Sequence, residues 1–283
     1  MSMIIKQDNQ LFDKPQTAVH KLAATGDGPR PQVTTPVGCV TVPSCKLEGV
    51  IKTPAAIIFD MDGVLVDSNP FHLRKWIELF RAHGVAFEEE GLASIVLGPP
   101  NDVTITRFMG AGIPRERIEA MSEELEENFR REIGPHARAF PGVRGFIEAC
   151  HAQGIRMAVA SAAIAKNVYF LTAALGLQNY FCEMLTGDEV TNPKPDPEVY
   201  LKTAAKLAVN PAECAVFEDS FVGIAAAKSA GMKCVAVAHT FSADELRKTA
   251  ADLVVPSFEA VSLAMLAQLF DDGVTTPDVL LAG

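Results

Sequence analysis

Residues 57–68 read I-I-F-D-M-D-G-V-L-V-D-S. They are entered through Ala55-Ala56-Ile57-Ile58-Phe59, an unbroken apolar run. A strand with one wet face alternates polar and apolar side chains. An unbroken run predicts a strand covered on both faces, as in a parallel sheet packed between helices. The run stops at Asp60 and Asp62, followed by Gly63. Two carboxylates this close disfavour each other's ionisation. They make sense together where a divalent cation and a phosphoryl group share the site. In open α/β sheets ligands bind outside the carboxyl ends of the strands, where these two aspartates would fall. A surface turn after a strand can also read D-x-D-G, so the motif needs company.

Three later segments supply it. Ile155–Ala160 is a second strand-like run, and it ends in Ser161. Asn192-Pro193-Lys194-Pro195-Asp196-Pro197 is a stiffened loop that sets one lysine ahead of a helix over 197–207. Cys214-Ala215-Val216-Phe217 is a short apolar strand ending in Glu218-Asp219-Ser220. Each deposits a polar group where its strand or loop ends. Ser161 also reads as an N-cap ahead of a helix over 164–174, and both roles are compatible. A lone lysine is ordinarily a solvated one, but the prolines flanking Lys194 argue for a fixed position.

This ordered set of aspartates, serine, lysine and acidic pair resembles the haloacid dehalogenase superfamily, over about Ala55 to Phe258. The resemblance implies a Rossmann-like three-layer α/β core with a mostly parallel sheet. It also implies roles. Asp60 is the nucleophile that forms an aspartyl-phosphate, and Asp62 is the general acid and then base. Ser161 holds a phosphoryl oxygen, and Lys194 offsets charge. Asp60, the Asp62 carbonyl, Glu218 and Asp219 form a Mg2+ site, with the choice between Glu218 and Asp219 as direct ligand left open. The two aspartates should differ in protonation, one held ionised by metal and lysine and the other free to take a proton. Gly63 lets backbone amides approach the phosphate, and Ala162 follows Ser161 in the phosphate loop. Asp62 argues against carbon–halogen cleavage, which has no leaving oxygen to protonate. Phosphonate cleavage would need a cap lysine, and Lys75 is the only lysine between Asp60 and Ala165.

Residues 69–139 interrupt the strand–helix alternation. Leu73, Trp76, Ile77 and Phe80 keep helical spacing, as do Ile118, Met121, Leu125 and Phe129 after Pro114 and before Gly134-Pro135. An all-helical insertion at this point resembles the small four-helix cap of subfamily I. Around it the expected core is 55–68 and 140–270. Within that subfamily the stretch Phe71–Trp76 is similar to the first cap helix of the β-phosphoglucomutase group. There His72 either faces the active site or is a solvated helix histidine, and Gly98 opens the loop that meets substrate. The mutase carries an arginine in that loop, whereas Gly98-Pro99-Pro100-Asn101-Asp102 has none. It also carries a polar Ser-Lys-Asn set soon after the motif serine, whereas Ala162–Ala165 precede Lys166 and Asn167 here. A second phosphate would therefore be poorly held. The expectation is hydrolysis of a small phosphorylated metabolite such as a sugar phosphate, with a sugar phosphomutase as the alternative in which Arg107 or Lys166 substitutes.

Composition agrees. With 283 residues, 48% of them hydrophobic, there is enough chain for a substantial core and a small second unit. A formal net charge of −10 argues against nucleic acid and anionic membranes as partners. No apolar run reaches the ~18 residues of a membrane span. The six cysteines form no C-x-x-C pair, which suggests a reduced cytoplasm, although Cys39 and Cys45 could pair. Residues 1–54 show no helical period and read as a flexible extension, and 271–283 read as a tail.

Overall fold

The computed structural model describes residues 53–271. Nearly all of the expected extension and tail, including Cys39 and Cys45, lies outside the described residues. The core strands are β1 (Ala56–Phe59), β2 (Arg156–Ala160), β3 (Glu183–Leu185), β4 (Cys214–Glu218), β5 (Lys233–Val237) and β6 (Leu253–Val255). They form one sheet in the order β3-β2-β1-β4-β5-β6, and every pairing is parallel. The expectation of a mostly parallel sheet thus holds without an antiparallel edge. β3 has only three residues and shows no apolar run in the sequence, because Glu183 opens it at the sheet edge.

Strand periodicity divides the core in two. Ile57, Phe59, Met157, Val159, Ala215, Phe217, Val235 and Val237 point to one face. They pack there against α5 (Val143–Ala152), α6 (Ala165–Ala174) and α10 (Leu263–Gln268). The Phe59 and Phe217 rings stack at 5.3 Å, with Phe146 edge-on to both. Ala56, Ile58, Ala158, Ala160, Val216 and Ala236 point the other way, against α7 (Glu198–Lys206) and α8 (Phe221–Ser229). The small side chains on this second face let those helices approach closely. Cys150, Cys214 and Cys234 are buried in the core, whereas Cys182 is half-buried.

Between β1 and β2 the chain forms α1 (Asn69–Ala82), α2 (Leu92–Val96), α3 (Asn101–Met109) and α4 (Arg115–Ile133). Trp76, Leu79, Phe80, Leu92, Val96, Ile105, Met121 and Leu125 give this segment its own apolar cluster. Lys75 is buried between Glu78 and Glu132, tying α1 to α4. Its ammonium loses by burial but gains more from those carboxylates, so its pKa is raised, the wrong state for Schiff-base chemistry. The chain returns to the core where Ala139 bridges Val66 and the Phe140 amide donates to the Leu65 carbonyl. Among the described residues no helix is long and apolar enough to cross a membrane.

Candidate active site

The strand order reverses at β1, which lies between β2 and β4. That is the topological switch point where α/β sheets bind ligands. All three strands end there in polar residues. β1 runs into Asp60, whose amide donates to the Phe217 carbonyl of β4. β2 runs into Ser161, and β4 ends at Glu218 with Asp219 following.

Four charged groups meet. The Lys194 ammonium lies 2.7 Å from Asp60 Oδ1 and 2.6 Å from Glu218 Oε1. It stands 5.0 Å from the centre of the Tyr200 ring, whose hydroxyl donates to Glu218 at 2.7 Å. The other Glu218 oxygen accepts from the Asp219 amide and from the Ser220 amide and hydroxyl. Glu218 is 0% exposed and both its oxygens are engaged. A Cβ at Gly223 would lie 1.7 Å from it, so a glycine there is what admits the carboxylate. Asp60, Glu218 and Asp219 can each present an oxygen within 4.8 Å of the others. An all-carboxylate, hard-oxygen set of this kind suits magnesium.

The electrostatics follow from burial. Burial raises the Asp60 carboxyl to about 7; Lys194 pulls it down but Glu218 and Asp62 push it up. Burial, Glu218 and Asp60 hold Asp219 well above the carboxylate range. Lys194 stays protonated because its two carboxylates outweigh its burial. Asp62 is half-buried, and although desolvation raises it, contacts from His72 and Ser68 outweigh that and hold it below its ordinary value. From the protein's own groups alone, Asp60 is thus the aspartate pushed up and Asp62 the one held down. Asp60 shares its space with two other carboxylates, and a divalent cation is what would offset that repulsion.

Ser68 donates to Asp62 Oδ1 at 2.5 Å, and His72 Nε2 lies 3.5 Å from the same oxygen. The His72 ring stacks on Phe129 of α4 at 3.7 Å. Its side chain is only 16% exposed, so the reading of a solvated helix histidine is corrected. Ser161 is corrected as an N-cap. Its hydroxyl accepts from the Ala163 amide, while the first amide of α6, Ala165, donates to Asp188. Ala162 is exposed beside it, and a Cβ at Gly187 would lie 2.2 Å from its carbonyl. Gly63 has φ +80°, and a Cβ there would lie 1.9 Å from Asp219 Oδ2. Its lack of a side chain makes room for Asp219. Gly98 is exposed with φ +104°, and a Cβ there would meet nothing within 4 Å, so the structure does not bring it to the carboxylates.

The model of the haloacid dehalogenase-like hydrolase family matches residues 57–237. The chain belongs to this family. Among curated relatives, a phosphorylated carbohydrates phosphatase of Thermotoga maritima is 33% identical over 188 residues, 66% of this chain and 87% of that one. A fructose-1-phosphate phosphatase of Escherichia coli is 30% identical, covering 65% of this chain and 96% of that protein. Among solved structures, a β-phosphoglucomutase from Clostridium difficile matches with a TM-score of 0.69 at 26% identity, covering 77% of this chain and 97% of that one.

Beyond the family motifs, the sequence reading missed several groups around the carboxylates. Ser68 closes the quoted stretch but shows no spacing signal. Tyr200 hides on the apolar face of α7. Thr240, which donates to Asp219, lies shortly past β5, a position strand-end reasoning can find once β5 is assigned.

Proposed function

We propose that this phosphoric monoester hydrolase is a magnesium-dependent phosphatase that hydrolyses a small phosphorylated metabolite, a sugar phosphate, through an aspartyl-phosphate on Asp60. The carrying observation is the convergence of Lys194 on Asp60 and Glu218, beside Asp219 and within reach of Asp62.

Asp60 attacks phosphorus in line, displacing the substrate's ester oxygen. Asp62, held by Ser68 and His72, takes up a proton when the negative charge of the bound phosphoryl group raises its proton affinity, gives it to that oxygen as it leaves, and then takes one from the water that hydrolyses the acyl-phosphate. Ser161 accepts from the Ala163 amide, which leaves its O–H to donate to a phosphoryl oxygen. Lys194 offsets the charge that gathers between phosphate and nucleophile. Glu218, with both oxygens engaged, acts through Lys194 and Tyr200, so Asp60, Asp219 and the Asp62 carbonyl are the groups left to hold the cation. Magnesium there would polarise the phosphoryl group. His72 rides on α1 and leans on α4, which ties the acid–base to the position of the helical segment.

Hydrolysis is favoured over phosphoryl return by the fate of the cations nearest α6. Lys166 pairs with Glu123 at 2.8 Å, and Arg130 donates to Asn167, so neither stands unanswered for a second phosphate. The test is phosphate release from a panel of sugar monophosphates, fructose 1-phosphate included, with and without magnesium. β-Glucose 1-phosphate is assayed in parallel for glucose 6-phosphate. Magnesium-dependent phosphate release without isomer is the expected result. Isomer without net phosphate loss would overturn it in favour of a mutase.

A further inference from the structure

We propose that Thr240 is a positioning residue that orients Asp219 toward the cation, and that Asn69 couples this orientation to the first helix of the cap. The inference rests on the metal reading above and adds to it two residues from outside the four motifs.

The Thr240 hydroxyl donates to Asp219 Oδ2 and accepts from Asn69 Nδ2 at 3.0 Å. A hydroxyl has one hydrogen, and an amide NH2 can only donate. With Asn69 occupying a lone pair, the hydrogen of Thr240 is directed at the carboxylate. On its other side Oδ2 is closed in by Gly63, where a Cβ would lie 1.9 Å from Oδ2 and 2.8 Å from Thr240 Oγ1. Oδ2 is therefore boxed between a glycine and a threonine. Oδ1 makes no hydrogen bond among the described residues, which leaves it as the oxygen for the metal.

The neighbouring residue strengthens the same arrangement. His239 Nδ1 lies 2.9 Å from the Gly63 carbonyl, which can only accept, so the ring donates. The ring is braced on Phe140 at 3.7 Å, where the chain returns from the cap. Two consecutive residues after β5 thus grip the backbone of the D-x-D-G turn and the carboxylate of Asp219. Asn69 is the first residue of α1. A hydrogen-bond chain accordingly runs from the start of the cap, through one hydroxyl, to a metal ligand. Removing a group that orients a ligand without touching the metal typically costs about 10–100-fold in metal affinity. Thr240 is exposed whereas Asp219 is only 2% exposed, so Thr240 can be replaced without disturbing the core.

Manganese(II) serves as a spin probe, its free concentration read by electron paramagnetic resonance during titration into the full-length protein without substrate. Thr240→Val keeps the shape and loses the hydroxyl, and it should weaken binding about 10-fold or more. Thr240→Ser keeps the hydroxyl and should bind like the wild type. Asn69→Ala should show a smaller loss of the same sign. Thr240→Val binding as tightly as wild type would overturn the inference alone, and Asn69→Ala doing so would remove the link to the cap. Wild-type protein that leaves manganese free, or an Asp219→Asn variant that binds it equally well, would overturn the metal reading and the inference with it.

Discussion

Phe59 and Trp76 are both fully packed aromatic side chains, but they lie in regions held together by different means. Phe59 belongs to a cluster of strand and helix residues that includes Phe146, Phe217 and Phe258 and continues along the sheet. Trp76 belongs to a smaller cluster confined to the inserted helices. Only the first turn of α1, with Phe71, and the last turns of α4, with Phe129 and Ile133, reach the core cluster. Much of the remaining junction is polar. Glu126 on α4 accepts from Asn167 of α6 at 2.5 Å, and Arg130 donates to Asn167 at 2.7 Å. Buried hydrogen bonds of this kind hold only while every group stays paired, whereas an aromatic core needs no such partner geometry. The difference teaches that the core is held by packed aromatic side chains, while the inserted helices meet it largely through a few paired polar groups.

The largest effect tests the core side. Asp60→Asn should reduce phosphate release by roughly four orders of magnitude with the fold intact. Steady-state rates at saturating magnesium check it, and retained turnover would mean the chemistry lies elsewhere. Next, Phe217→Ala should destabilise the whole molecule by about 3–5 kcal/mol, through lost burial and a cavity in the aromatic stack. In urea, circular dichroism and the fluorescence of Trp76, the chain's one tryptophan, should shift together.

Asn167→Ala breaks the junction instead. It removes partners from Glu126 and Arg130 and leaves a buried carboxylate underserved, at a cost of about 1–3 kcal/mol. Because Trp76 packs within the inserted helices, its transition should now precede the circular dichroism transition. Coincident transitions would show the inserted helices and the core to be one cooperative unit. The smallest effect concerns the loop that carries Lys194. Glu198 pairs with Lys202 and accepts from the Thr191 and Asn192 amides, which hold its carboxyl down at about 2. A depressed folded pKa contributes stability that is present above the ordinary value of 4.5 and is lost as pH falls toward 2. Melting temperature against pH over that window should therefore fall less steeply in Glu198→Gln than in wild type.

Much of this arrangement can be read along the chain. The unbroken apolar runs of β1, β2 and β4 announce strands covered on both faces, and a polar residue at the end of each marks the ligand side of a parallel sheet. Periodicity over 69–139 announces helices with one apolar face. One edge strand, β3, escapes this reading, because a short strand opened by Glu183 carries no period. That Ser161 does not cap α6 was not legible, since which group serves the start of α6 depends on Asp188 arriving from beyond β3.

By itself the sequence determined the class of fold and the identities of the chemical groups, because hydrophobic period and strand-end residues are local properties. The tertiary structure decided how those groups divide their work. That Glu218 is spent on Lys194 and Tyr200, that His72 reaches Asp62, and that Thr240 and Gly63 enclose one oxygen of Asp219 are facts of approach between residues far apart in the chain. Hydrogen bonds and charge interactions fall off over a few ångströms, so such pairings exist only once the sheet has brought its strand ends together.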